Sequence, residues 1–197
     1  MRKMIILPGN AAGAGKYVAE DGKTYPEWKD GALHEGAAND YARRLCYDPV
    51  VIHVGGWPQS EDSPQAKKAI PMLQDRGQNV TAIYGFSGGG YNLRHILEYL
   101  LDNSPETLYR IDRVVVLGAP MKKWLVTTDR FNDGLKKKGL FDPKLKQLAT
   151  WTLEYRENPP PSAKCFPPGY DPTKNGTHMF GPEWLLADTV RISCDPN

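Results

Sequence analysis

Five short apolar runs rich in β-branched residues recur along this chain, and each stops short of glycine or proline. Met4 to Leu7 ends at Pro8-Gly9, Val50 to Val54 at Gly55-Gly56, Val80 to Tyr84 at Gly85, and Val114 to Leu117 at Gly118-Ala119-Pro120. A weaker fifth run, Thr150 to Tyr155, precedes Asn158-Pro159-Pro160-Pro161. Continuous apolar runs, unlike alternating ones, predict strands covered on both faces, as in a parallel sheet. Parallel strands need crossovers, and the segments between the runs have helical character. Glu35 to Leu45 carries Ala37, Ala38, Tyr41, Ala42 and Leu45. Ser63 to Gln74 opens with Ser-Pro, an N-cap followed by proline at the first helical position. Gly89 to Leu101 shows Leu93, Ile96, Leu97, Leu100 and Leu101 at helical spacing, and Pro182 to Val190 is a shorter helix again opened by proline. The alternation predicts an α/β fold. It is a doubly wound, mainly parallel sheet of about five strands with helices on both faces, a three-layer sandwich. The 197 residues suit a single domain, residues 1–197. Residues 121–147 break the rhythm with apolar side chains among many lysines; they read as a crossover with a solvated basic face, or as a flap over a site.

Composition narrows the partners. A hydrophobic fraction of 40% and a charged fraction of 24% are ordinary for a globular protein, and a net charge of +2 gives no reason to expect nucleic acid or an acidic membrane. No stretch approaches the roughly 20 apolar residues that cross a bilayer. The start, Met1 to Pro8, has too short an apolar run for a signal peptide. Cys46, Cys165 and Cys194 show no metal-ligand spacing and leave one over if two pair, so the expectation is three reduced thiols and a cytoplasmic protein.

The most specific signal is Gly85-Phe86-Ser87-Gly88-Gly89, which joins the Val80 run to the helix after it. A serine hydroxyl is a weak nucleophile and must be presented where a base can reach it. A sharp strand-to-helix turn presents it, and glycines two residues to either side relieve the crowding. The first N–H groups of the helix, on Gly88 and Gly89, then point beside the hydroxyl and can stabilise an oxyanion. For this composition, chance supplies such a match only about 0.05 times per chain.

With this turn and the element order, the chain resembles the α/β-hydrolase fold in a minimal form similar to small bacterial lipases and esterases. The resemblance spans most of the chain through element order, but its one specific motif is the elbow. It implies a triad in the chain order nucleophile, acid, histidine, with Ser87 as nucleophile and no cofactor or metal. His34 and His53 precede the serine, and His95 lies about two turns along the elbow helix, so His178, before the last helix, is the expected base. The acid is expected after the fifth run, at Glu157, with Asp171 as the main rival and Asp142 and Asp129 further off. The resemblance places a second oxyanion N–H on the loop after the first run, at Asn10 or Ala11, beside that of Gly88. Trp57, Phe86 and Met179 are the expected pocket residues, and the partner is a small acyl substrate.

A competing motif lies in Gly9-Asn-Ala-Ala-Gly-Ala-Gly-Lys16, which looks like a phosphate-binding loop. Its spacing fails, since five residues before Gly15 stands Asn10, and Tyr17 follows the lysine where a magnesium-binding Ser or Thr belongs. Two other readings therefore stand beside the esterase: a non-catalytic binding protein on the hydrolase fold, and a nucleotide-binding protein using Gly9 to Lys16.

Overall fold

A computed structural model describes residues 1–9, 16–18, 24–26, 32–52, 62–119, 152–156, 181–192 and 194. In chain order the elements are β1 (Arg2–Leu7), β2 (Lys16–Val18), β3 (Thr24–Pro26), α1 (Ala32–Arg44), β4 (Tyr47–Val51), α2 (Pro64–Gln74), a single 3₁₀ turn (Arg76–Gln78), β5 (Val80–Phe86), α3 (Gly88–Asn103), α4 (Pro105–Tyr109), β6 (Arg113–Leu117), β7 (Thr152–Arg156) and α5 (Gly181–Asp188). The protein is an α/β structure built on a parallel sheet in the order β4-β1-β5-β6. β7 runs parallel to β6, from Arg113↔Thr152 to Leu117↔Arg156. β2 and β3 form a separate antiparallel pair.

Capping chemistry sets the helix starts. Ser63 caps α2 by accepting from the Ala66 N–H at 3.1 Å, with Pro64 in the first turn, where its missing N–H costs nothing. The strand expected over Val50 to Val54 is instead Tyr47–Val51, three residues earlier at its start. β4 is an edge strand, and an edge tolerates Pro49, which elsewhere would cost a ladder hydrogen bond. Alternation along the strands divides the core. Ile5, Leu7, Ile83, Val114 and Val116 pack with α2, α3 and α4 side chains such as Leu73, Leu93, Ile96, Leu97 and Leu108. Met4, Ile6, Tyr84, Phe86, Val115 and Leu117 pack with Ala38, Tyr41 and Ala42 of α1 and Leu185 of α5.

Polar residues bind the amino ends of the strands. Asp112 pairs with Arg2 at 2.5 Å and accepts from the Tyr47 hydroxyl at 2.7 Å and the Thr81 hydroxyl at 3.4 Å, so one carboxylate links four strand starts. Burial, and then donation to the Asp112 carboxylate, push the Tyr47 hydroxyl up to about 12. The native state thus holds this proton more tightly than the unfolded chain. Its contribution is complete below the ordinary value of 10.0 and fades as pH rises through about 12. In denaturant titrations the stability advantage of the wild type over Tyr47→Phe is expected to shrink across that window; a constant advantage would refute the coupling.

The three-thiol expectation is corrected. Cys46 and Cys194 form a disulfide spanning 148 residues of sequence, and the thiol argument for a reducing compartment goes with it. The two cysteines stand on segments that the Arg44 guanidinium and a backbone bond already hold together. Arg44 donates to the Leu186 carbonyl and, at 2.9 Å, to that of Thr189, while the Ile192 N–H donates to the Arg44 carbonyl at 3.0 Å. Among the described residues no helix is long and apolar enough to cross a membrane. Closing so long a loop restricts the unfolded chain, so Cys46→Ser is expected to cost about 2–5 kcal/mol and lower the melting midpoint by roughly 5–15 °C. An unchanged midpoint in scanning calorimetry would rule the bond out.

Candidate active site

Parallel strands end at one edge of a sheet, and this one has a switch point there. The chain leaves β1 toward β4 on one side and leaves β5 toward β6 on the other, so the switch point, where open α/β sheets bind ligands, lies between the carboxyl ends of β1 and β5. Ser87 stands at that point, between the last residue of β5 and the first of α3. Its backbone is at φ 50°, ψ −118°, outside the ordinary left-handed basin and strained for a residue with a side chain. Its N–H donates to the Leu117 carbonyl at the end of β6 at 2.8 Å, which locks the turn to the sheet. Serine at a helix N-cap ordinarily spends its hydroxyl on the helix; Ser87 makes no such cap bond.

The flanking glycines are required by space. A Cβ on Gly89 would lie 2.0 Å from the Leu7 carbonyl oxygen, and one on Gly85 would lie 2.7 Å from the Gly89 carbonyl oxygen. The first turn of α3 therefore rests directly on the end of β1. The exit of β1 returns to the serine as well, because a Cβ on Gly9 would sit 2.9 Å from the Ser87 Cβ. The start of α5 closes the other side, where a Cβ on Gly181 would lie 3.2 Å from Leu117 and 3.4 Å from the Phe86 ring. In the first turn of α3 the N–H groups of Gly88 and Gly89 have no intrahelical acceptor, and the helix dipole adds positive potential there.

The structure brings Ser87, Gly88 and Phe86 together. Phe86 is 3% exposed and packs in the cluster with Leu117 and Leu185. His178, Glu157, Asn10, Ala11, Trp57, Met179, the rival carboxylates Asp171, Asp142 and Asp129, His53 and the segment 121–147 lie outside the described residues. His95 stays on the α3 surface, with Nδ1 3.8 Å from a Glu98 carboxylate oxygen. Lys16 opens strand β2, whereas the lysine of a phosphate-binding loop opens a helix. Among the described residues no group of three or more His, Cys, Asp or Glu could hold a metal.

Sequence reading passed over a buried amide pair, Gln65 and Asn92, which contacts the exits of β1 and β4. Its signal was present: Gln65 stands four residues before Ala69 and Asn92 four before Ile96, so both put a polar group on an apolar helix face. Comparisons with protein-family models, curated proteins and solved structures find no match to this chain.

Strain at Ser87 makes a stability prediction. Glycine adopts this backbone freely, so Ser87→Gly is expected to raise stability by about 1 kcal/mol, a midpoint gain of roughly 2–4 °C, while Ser87→Ala keeps the strain. If both variants melt together, the turn is relaxed.

Proposed function

We propose that this protein is a serine hydrolase that cleaves carboxylic esters or thioesters through an acyl-enzyme, on a minimal α/β-hydrolase fold. The observation that carries the reading is the backbone of Ser87: a strained serine at a strand-to-helix turn, on the switch point of a parallel sheet, with no cap bond to its helix. Strain of this kind persists where surrounding structure over-determines it, and it clusters at catalytic turns. Two core clusters, one toward α2, α3 and α4 and the other toward α1 and α5, support a three-layer sandwich, and the β6–β7 pairing supports a fifth strand.

In the proposed reaction Ser87 Oγ attacks the acyl carbonyl while the His178 imidazole takes the hydroxyl proton. The carbonyl oxygen becomes an oxyanion, held by the Gly88 N–H and an N–H of Asn10 or Ala11. The imidazolium returns the proton to the departing alcohol or thiol as the carbon–oxygen or carbon–sulfur bond breaks. Water, deprotonated by the same imidazole, then releases the acid and restores the serine. Glu157 fixes the imidazole, and Trp57, Phe86 and Met179 line the acyl pocket. Chain connectivity favours these assignments. His178 is three residues from Gly181, a tether of at most about 11 Å to a point packed against Phe86. β7 ends at Arg156, immediately before Glu157. Lys16 on a strand counts against the nucleotide-binding alternative.

A fluorophosphonate probe tests the proposal. Labelling of the wild type is expected at Ser87 by mass spectrometry, absent in Ser87→Ala. Hydrolysis of p-nitrophenyl acetate is expected to fall by about 10³-fold or more in Ser87→Ala and His178→Ala. Folded wild-type protein that takes no label is a binding module, and the enzyme proposal fails.

A further inference from the structure

Gln65 stands in the first turn of α2 and Asn92 in the second turn of α3, each only 1% exposed. Gln65 Nε2 donates to the Pro8 carbonyl at 3.0 Å and to the Ile52 carbonyl at 3.4 Å, while Asn92 Nδ2 donates to Gln65 Oε1 at 2.7 Å. Both backbone acceptors are carbonyls, so the NH₂ end of Gln65 must face them, and Asn92 must then present its own NH₂ to the remaining oxygen. The amide orientations follow from the chemistry of the partners. The acceptors are the last carbonyls of two neighbouring strand exits, and one of them borders the nucleophile. The Pro8 carbonyl and the Gly9 N–H share one planar peptide group, so a bond that fixes the first fixes the second. The same carbonyl oxygen lies 2.9 Å from where a Cβ of Gly89 would be, and a Cβ on Gly9 would be 2.9 Å from that of Ser87. The peptide is thus held between the α2 amide and the elbow helix, beside the serine.

We infer that Gln65, oriented by Asn92, is a positioning residue that sets the Pro8–Gly9 peptide against Ser87, the peptide from which the chain continues into the proposed oxyanion residues Asn10 and Ala11. The inference rests on the serine-hydrolase reading for its catalytic consequence, not for the tether itself. An oxyanion donor acts only if it is already in place as charge develops, and misplacement by about 1 Å costs on the order of 100-fold in rate. Removing the tether therefore affects the acylation step more than substrate binding.

Gln65→Met keeps the chain length and removes the amide. Its fluorophosphonate labelling rate and its kcat for p-nitrophenyl acetate are expected to drop about 10- to 100-fold, with KM within about twofold of wild type. Hydrogen–deuterium exchange, read without any substrate and well below the melting midpoint, is expected to quicken in peptides covering Leu7 to Gly9 and Val51 to Ile52. The double variant Gln65→Met/Asn92→Leu also removes the Asn92 amide that Gln65→Met leaves without its partner, while the Pro8 and Ile52 carbonyls still lack their donor, so its midpoint is expected to recover in part while kcat stays low. Recovery of kcat together with the midpoint would overturn the inference, as would single-variant kcat and exchange equal to wild type; should the double variant not fold, the single variant decides. Wild-type protein that takes no label, alongside faster exchange in Gln65→Met, sinks the hydrolase reading and leaves the tether standing.

Discussion

The first turn of α3 can lie against the end of β1 only because residue 89 has no side chain. A methyl group there would come within 2.0 Å of the Leu7 carbonyl oxygen, a separation no rotamer relieves because the obstacle is backbone. That contact fixes where α3 begins, and so where its first N–H groups point. It also fixes the depth at which β5 hands over to the helix, since Gly85 meets the Gly89 carbonyl on the same turn. Ser87 sits between these two contacts and inherits its conformation from them. A larger residue at either glycine would push α3 away from the sheet and release the serine from its strained backbone.

The strain at Ser87 is of order 1–3 kcal/mol, and the surrounding packing holds it. α3 buries Leu93, Ile96, Leu97 and Leu100 completely. Each contributes about 1.5–3 kcal/mol relative to an exposed position, so the helix has a large surplus with which to keep its N-cap residue in an unfavourable basin. The hydrogen bond from the Ser87 N–H to Leu117 ties the turn to β6 as well. A long apolar helix and an adjoining strand thus impose the geometry of one residue.

Much of this was legible in the sequence because it obeys local rules. The Ser63-Pro64 start, the α3 stripe and the buried β5 and β6 runs carry their period and caps in consecutive residues. β4 was displaced because its membership depends on an edge position, which the sequence around Pro49 does not reveal. α4 has five residues, too few for a period to show. The Cys46–Cys194 bond joins residues 148 apart in a chain with an odd cysteine count, and neither spacing nor composition selects that pair. Of the site, Ser87 and Gly88 could be read because the elbow is a contiguous motif. His178, Glu157, Asn10 and Ala11 fall outside the periodic segments of the sequence, so no pattern fixes their geometry and only the resemblance assigns them roles.

The two edges of the sheet handle polarity differently, and the difference suits the proposed chemistry. At the amino ends of the strands a charged group, Asp112, gathers Arg2, Tyr47 and Thr81. At the carboxyl ends, beside Ser87, the Pro8 and Ile52 carbonyls accept from the neutral amide of Gln65, which Asn92 holds in turn. In a low-dielectric interior a carboxylate in the place of Gln65 would raise the energy of any negative charge formed beside Ser87. Amides satisfy the same carbonyls without adding a fixed charge. Beside them the N-terminus of α3 carries the sign that favours an oxyanion. Placing the ionised partner at the far end of the strands thus secures the sheet without opposing the step in which charge appears.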